Sequence, residues 1–228
     1  NKNKIFAASC PAGPAFEGGA IACGMPGLPG AIEKVKINDD GSVEVGVIGD
    51  VPAEGICGSG LVDLMSELLR TGRINQLGRF ENGDEKIVMD VKSDSPIYFT
   101  ESDLNELAQA KGANVAGLQV IFHDYGIRFD ELDVFYLAGG FGRHLNIESS
   151  KRIGLIPNIA DAKILQVGNA SIEGACIALL SRTKRWELEN LVKNVTHCRL
   201  EAHENFFNFF VEGCQFNPVE TSPALQTS

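Results

Sequence analysis

From Leu104 to Phe122 the apolar positions step by 4, 3, 4, 3 and 4 through Ala108, Lys111, Val115 and Leu118, which predicts one long helix. Thr100 and Asp103 fit a capping box ahead of it, and Gly126 stands where a left-handed C-cap belongs. A second helix is predicted from Leu61, Leu64, Met65, Leu68 and Leu69, with Gly72 as its stop. Residues 31–51 alternate apolar and polar positions around Asn38-Asp39-Asp40-Gly41-Ser42, the pattern of two strands joined by a hairpin. Short strand-like pieces follow at Lys86–Val91 and Ile97–Phe99. Val134–Ala138 reads as a buried strand running into Gly139, and Lys163–Val167 as another ahead of Gly168-Asn169. Beyond these come an apolar helix through Ala175, Cys176, Leu179 and Leu180, a charged helix over Lys184–Asn194, a strand near Val195–Leu200 and an aromatic helix around Phe206–Phe210. Ile5–Cys10 reads as a strand leaving a turn at Asn1–Lys4, and a turn with one strand attached places the preceding strand outside this sequence. Residues 221–228 are polar and are expected to form a loose tail. Strands alternating with helices define an α/β class with a mixed sheet.

Composition narrows what such a chain can do. Its 228 residues suffice for one large domain or two small lobes. Thirty acidic against 20 basic residues leave a net charge of −10, so no basic stripe exists to release counterions from phosphates. Nucleic acid and anionic membrane surfaces are therefore excluded as partners. No apolar run approaches the roughly 18 residues of a membrane span, and no signal peptide opens the sequence.

The six cysteines, at 10, 23, 57, 176, 198 and 214, include no Cys-x-x-Cys. Zinc and iron–sulfur sites usually need such a close pair, so the cysteines read as reduced thiols of a cytoplasmic protein. His197, Cys198, His203 and Cys214 fit no usual metal spacing and read as core and surface residues.

Glycine clusters mark the candidate chemistry. At Gly139-Gly140-Phe141-Gly142-Arg143 a strand ends in residues without Cβ, which allow close approach of a nucleotide, and a guanidinium follows that can stack on a base. A tight strand-to-helix turn explains the same glycines structurally. Gly55-Ile56-Cys57-Gly58-Ser59-Gly60 feeds a helix N-terminus, where free N–H groups favour an anion, but it matches neither the dinucleotide fingerprint nor a Walker loop. Lys111, on the apolar face of the long helix, needs a partner for its ammonium: a ribose hydroxyl, a phosphate oxygen or a carboxylate, unless it snorkels to the rim. Glu17, in a rigid Gly/Pro-rich loop, reads as structural, and Asp39–Ser42 as an ordinary turn rather than a phosphate-binding hairpin. Four scattered histidines build no Ser/His/Asp set.

In order, Ser9–Gly18 (Ser-Cys-Pro-Ala-Gly-Pro-Ala-Phe-Glu-Gly), Gly30-Ala31-Ile32-Glu33, the loop at 55–60, Leu137–Gly142, Gly154-Leu155-Ile156-Pro157 and Val167-Gly168-Asn169 resemble the reductive activators of corrinoid proteins. The resemblance runs from about residue 5 to residue 218. It implies a ribonuclease H-like lobe of the sugar kinase, heat-shock chaperone and actin superfamily, with core segments 1–30 and 127–218 and an inserted subdomain over 31–126. It implies an ATPase module that uses ATP and magnesium to drive one electron onto an inactive cobalt(II) corrinoid, restoring cobalt(I). Its partners would be nucleotide and a corrinoid protein of anaerobic methyl metabolism, and a homodimer is admitted. By the same resemblance Gly139, Gly140 and Arg143 would hold adenosine, Lys111 the ribose, Gly58, Ser59 and Gly60 would lie near the nucleotide, and Asn169 near the base.

Two features of the family are missing from this stretch. The phosphate hairpins with their magnesium-holding carboxylates would precede residue 1, and the iron–sulfur ligands would lie further upstream. The chain is thus expected to be the carboxy-terminal part of the module, making adenosine-side contacts without turning over ATP alone. Two other readings stand beside this one: an activator of radical dehydratases or benzoyl-CoA reductase, and a docking module for a corrinoid protein.

Overall fold

The computed structural model describes residues 4–49, 51–81, 83 and 85–220. Residues 1–3 of the expected opening turn, and the expected tail at 221–228, lie outside the described residues. Among the described residues the strands form four small sheets rather than one. β1 (Ile5–Ala7) runs parallel to β9 (Val195–His197), with Ile5 opposite Val195. β2 (Ala31–Ile37) lies between antiparallel β3 (Val43–Val47) and parallel β4 (Gly55–Ile56). β5 (Lys86–Met89) and β6 (Ile97–Thr100) form an antiparallel pair, and β7 (Phe135–Leu137) pairs in parallel with β8 (Ile164–Gln166). The helices are α1 (Gly58–Arg70), α2 (Glu101–Tyr125), α3 (Gly139–His144), α4 (Ile147–Arg152), α5 (Ala170–Leu180), α6 (Arg182–Val192) and α7 (Phe206–Gly213).

Local chemistry accounts for the boundaries. The β2–β3 turn closes through the Asn38 N–H donating to Ser42 O at 2.9 Å, with Gly41 at φ +86° where an L side chain is strained. At the start of α2, Asp103 N–H donates to Thr100 Oγ1 (3.2 Å) while Thr100 N–H donates to Asp103 Oδ2 (2.8 Å). The other Asp103 oxygen accepts from Ala22 N–H at 2.8 Å, tying the Gly/Pro-rich loop after β1 to the helix. On α1, Asp63 and Glu67 sit one turn apart and accept from the N–H groups of Val35 and Ile37 at 3.4 and 2.9 Å. Those carboxylates satisfy amides of β2 that short β4 does not reach. Burial pushes the Asp63 carboxyl up, whereas the Arg70 guanidinium beside Glu67 holds that carboxyl down.

The principal core joins Ile32 and Ile37 of β2, Leu61, Leu64 and Met65 of α1, Leu104 and Leu107 of α2, and Ile153, Ile164 and Phe216. It therefore runs across residues 31 and 126, where the boundaries of an inserted subdomain were expected. A second cluster, Ala116, Val120, Cys198, Leu200 and Phe209, holds α7 against α2. There the small residues of α2 admit close contact: a Cβ on Gly112 would lie 2.6 Å from Cys214 Sγ.

Two elements differ from their sequence patterns. β7, expected to be buried, leaves Tyr136 61% exposed. The apolar helix α5 contains no buried residue, and Leu180 is 85% exposed. α5 and α6 pack chiefly on each other, so an apolar composition that would bury against a neighbouring layer instead faces outward.

Candidate functional site

The carboxyl ends of β7 and β8 bring two glycine turns side by side. Val167 N–H donates to Leu137 O at 2.8 Å, and Gly139 N–H donates to Gly168 O at 2.9 Å. Gly139 sits at φ +89°, and a Cβ built on either Gly139 or Gly140 would meet no atom within 4 Å. Backbone without side chains here faces open space, as close approach by a flat ligand requires. Arg143 is exposed on α3, its Nη1 3.9 Å from where a Gly168 Cβ would stand. Gln166 Nε2 donates to Gly142 O and Leu145 O, both at 2.8 Å, and so fixes α3 over the end of β8. Nothing in the sequence pattern singles out Gln166; only its contacts reveal it.

A cleft of about 730 Å³ adjoins these turns. Gly58, Ser59 and Gly140 all line it, so the loop at 55–60 and the second residue of the glycine pair both border it. Phe16 and Phe141, ring centroids 5.5 Å apart, bridge the two sides. Glu17, Glu33, His144 and the Cys57 thiol supply its ionisable groups. Phe141 is legible as part of the glycine motif itself; Glu33 is legible as the end of the Gly30–Glu33 motif, although the alternating strand gives no hint that it faces a cleft.

The remaining candidates have specific structural duties. A Cβ on Gly60 would lie 2.2 Å from Ile32 O, and one on Gly58 2.2 Å from Phe16 O, so both glycines let α1 press against neighbouring backbone. Ser59 is buried, with Oγ 3.4 Å from Cys57 Sγ. Asn169 caps α5, its Oδ1 accepting from Ile172 N–H at 3.0 Å, and this holds it beside Gly168 and Gly139.

Lys111 is the correction. It is 1% exposed, and its Nζ donates to Gly213 O and, at 2.7 Å, to Gln215 O, with the Phe216 ring 5.6 Å away. Among the described residues its partners are therefore backbone carbonyls, and neither a carboxylate nor the rim takes the ammonium. The carbonyls left free where α7 ends take the ammonium, because burial demands acceptors and a helix C-terminus supplies them. Burial lowers its pKa to about 7.

Chemically, the open glycine backbone and the exposed Arg143 leave room for a flat ligand beside Asn169. The cleft is different: among the described residues lining it there is no lysine or arginine, so these residues do not by themselves cradle a triphosphate. The six cysteines are free thiols, dispersed from exposed Cys10 and Cys176 to buried Cys57 and Cys198. Among the described residues no helix is long and apolar enough to cross a membrane.

Comparison with known proteins places this architecture. A solved structure, a reductive activator for corrinoid,iron-sulfur protein, superposes with a TM-score of 0.88 at 35% identity, over 96% of this chain and 38% of that one. The corrinoid activation enzyme RamQ of Eubacterium limosum is 30% identical over 95% of the chain and 40% of its own length. The [Co(II) methylated amine-specific corrinoid protein] reductase of Methanosarcina barkeri is 29% identical over 99% of the chain and 44% of its length. The chain thus spans about two fifths of the relatives it matches. Residues 1–227 match the family described as the C-terminal domain of RACo, the ASKHA domain, and the chain belongs to that family, with the α/β fold of the kinase, chaperone and actin superfamily.

Proposed function

We propose that this chain supplies the adenosine side of an ATP site in a reductive activator of corrinoid proteins. The observation that carries the reading is the meeting of Gly139-Gly140 with Gly168-Asn169 at the carboxyl ends of two parallel strands, beside Arg143 and in front of open space. In this reading the glycine backbone lets the base approach, and the Arg143 guanidinium packs on its face. Asn169 is held by its cap beside the base, and Gln166 keeps α3 in register beneath the site.

The absence of cationic side chains among the described residues of the cleft supports a division of labour in which the phosphates and magnesium are held outside these residues. ATP would supply the free energy for moving an electron to cobalt(II), and the iron–sulfur centre delivering that electron would lie outside this chain. The names of the relatives support a corrinoid protein as partner.

Titrating the chain with ADP while recording its melting temperature tests the reading. Wild type is expected to show a saturable rise. Gly140→Leu, which fills open space, is expected to weaken ADP binding at least about tenfold while costing under about 1 kcal/mol of stability. No shift with ADP, together with capture of a corrinoid protein in the absence of nucleotide, would replace this reading with that of a docking module.

A further inference from the structure

The end of α2 opposite its capping box carries a cluster the nucleotide reading does not use. His123 and Asp124 occupy the last turn before Gly126, and His203 reaches them from the segment leading into α7. His123 Nδ1 and His203 Nε2 each lie 3.3 Å from Asp124 Oδ1, and the three donor atoms fall within 4.8 Å of one another. The two imidazoles meet edge to face at 5.2 Å, and the Phe209 ring stacks on His203 at 6.1 Å. The His203 side chain is only 12% exposed, whereas His123 and Asp124 are about one third exposed. The cluster thus has one fixed wall and one open side. No spacing along the chain hints at it, because residues 124 and 203 meet only when α7 folds onto α2; by proximity in sequence His203 groups with Cys198 and Cys214 instead.

The geometry matches a metal polyhedron. With metal–ligand bonds of about 2.0–2.1 Å, the edge of a tetrahedron is about 3.3 Å, the separation already present on two of the three sides. Two imidazoles and one carboxylate suit zinc and its borderline neighbours, whereas calcium and magnesium call for oxygen ligands. The negative end of a 25-residue helix also favours positive charge, and the carbonyls of Asp124 and Tyr125 already accept from Lys4 Nζ at 3.4 and 3.1 Å.

Two features oppose the ion. Lys4 is itself a nearby cation. Asn205 N–H donates to His203 Nδ1 at 3.2 Å, which leaves the ring proton on Nε2. Binding must move that proton to Nδ1 and give up the Asn205 contact in exchange for a metal–nitrogen bond.

We propose that His123, Asp124 and His203 form a three-ligand site for a divalent ion of the zinc class, its remaining position open to solvent. The site would clamp the end of α2 to the segment before α7.

Titration of the full chain under reducing conditions tests this, with Zn²⁺ followed by calorimetry and Co²⁺ by absorbance. One equivalent of Zn²⁺ is expected to bind and raise the melting temperature. Co²⁺ is expected to give visible ligand-field bands without the near-ultraviolet charge transfer of thiolate ligands. Asp124→Asn and His203→Gln should each weaken binding at least about tenfold. His123→Gln, on a partly exposed side chain, should do the same while leaving the metal-free melting temperature unchanged. Absence of saturable binding, undiminished affinity in His123→Gln and Asp124→Asn, or a cobalt–thiolate signal placing the ion on cysteines would each overturn the proposal.

Discussion

Replacing Lys111 with methionine keeps the length of the side chain and removes the titrating group from the core. In the folded chain burial lowers the lysine from 10.5 to about 7. Between those values the unfolded chain holds a proton that the folded chain has lost, so stability rises with pH across that window and is lowest at its acid end. Each pH unit crossed within it is worth about 1.4 kcal/mol, and integrating from about pH 7 to pH 8.5 gives a gain of about 2 kcal/mol for wild type. That figure is an upper bound, because the carbonyls of Gly213 and Gln215 and the Phe216 ring favour the ammonium and act against the desolvation. Burial also pushes up the thiols of Cys10, Cys198 and Cys214, but the variant carries the same thiols, so their contribution largely cancels in the difference between the two profiles. Lys111→Met also strands two buried carbonyls, at about 1–3 kcal/mol each, so its absolute stability should fall. The discriminating quantity is the slope. Urea unfolding followed by circular dichroism at several pH values should give a wild-type stability that climbs relative to the variant. Parallel pH profiles would refute the desolvated-lysine account and leave Lys111 an ordinary ammonium.

Three further substitutions test the close packing of α1 and the anchoring of the loop after β1. Gly60→Ala forces a methyl to within 2.2 Å of Ile32 O and should cost about 3 kcal/mol, whereas Gly72→Ala, strained at φ +65° but open, should cost only about 1 kcal/mol; similar losses in urea melts would refute the close-contact argument. Asp103→Ala removes the acceptor for Ala22 N–H and for Thr100 in one stroke and should cost about 3 kcal/mol. Faster proteolysis of the loop at residues 11–30 should accompany that loss, and an unchanged cleavage rate would show that Asp103 does not anchor it.

Much of the architecture is legible because its causes are local. The Thr100/Asp103 box, Gly126 at φ +81° and Gly41 at φ +86° set their boundaries through backbone chemistry within a few residues. The glycine turns at 139–140 and 168–169 are legible one by one for the same reason. What cannot be read is which of them will meet. Lys111 lies on the predicted face of the predicted helix, yet its partners stand 102 and 104 residues away, and an ammonium on an apolar face says only that it needs acceptors. Apolar composition misleads about the burial of β7 and α5, because burial depends on a neighbouring layer and not on the segment itself.

The sequence alone determined the α/β class, the helices with their caps, the hairpin and the family, since six ordered motifs and short-range periodicity need no knowledge of contacts. Only the tertiary structure decided that Gly58, Ser59 and Gly140 line one cleft, that Lys111 serves the end of α7, and that His123, Asp124 and His203 converge. Local elements arise from forces acting over a few residues, whereas a site arises from closures across a hundred, settled by which apolar faces find each other.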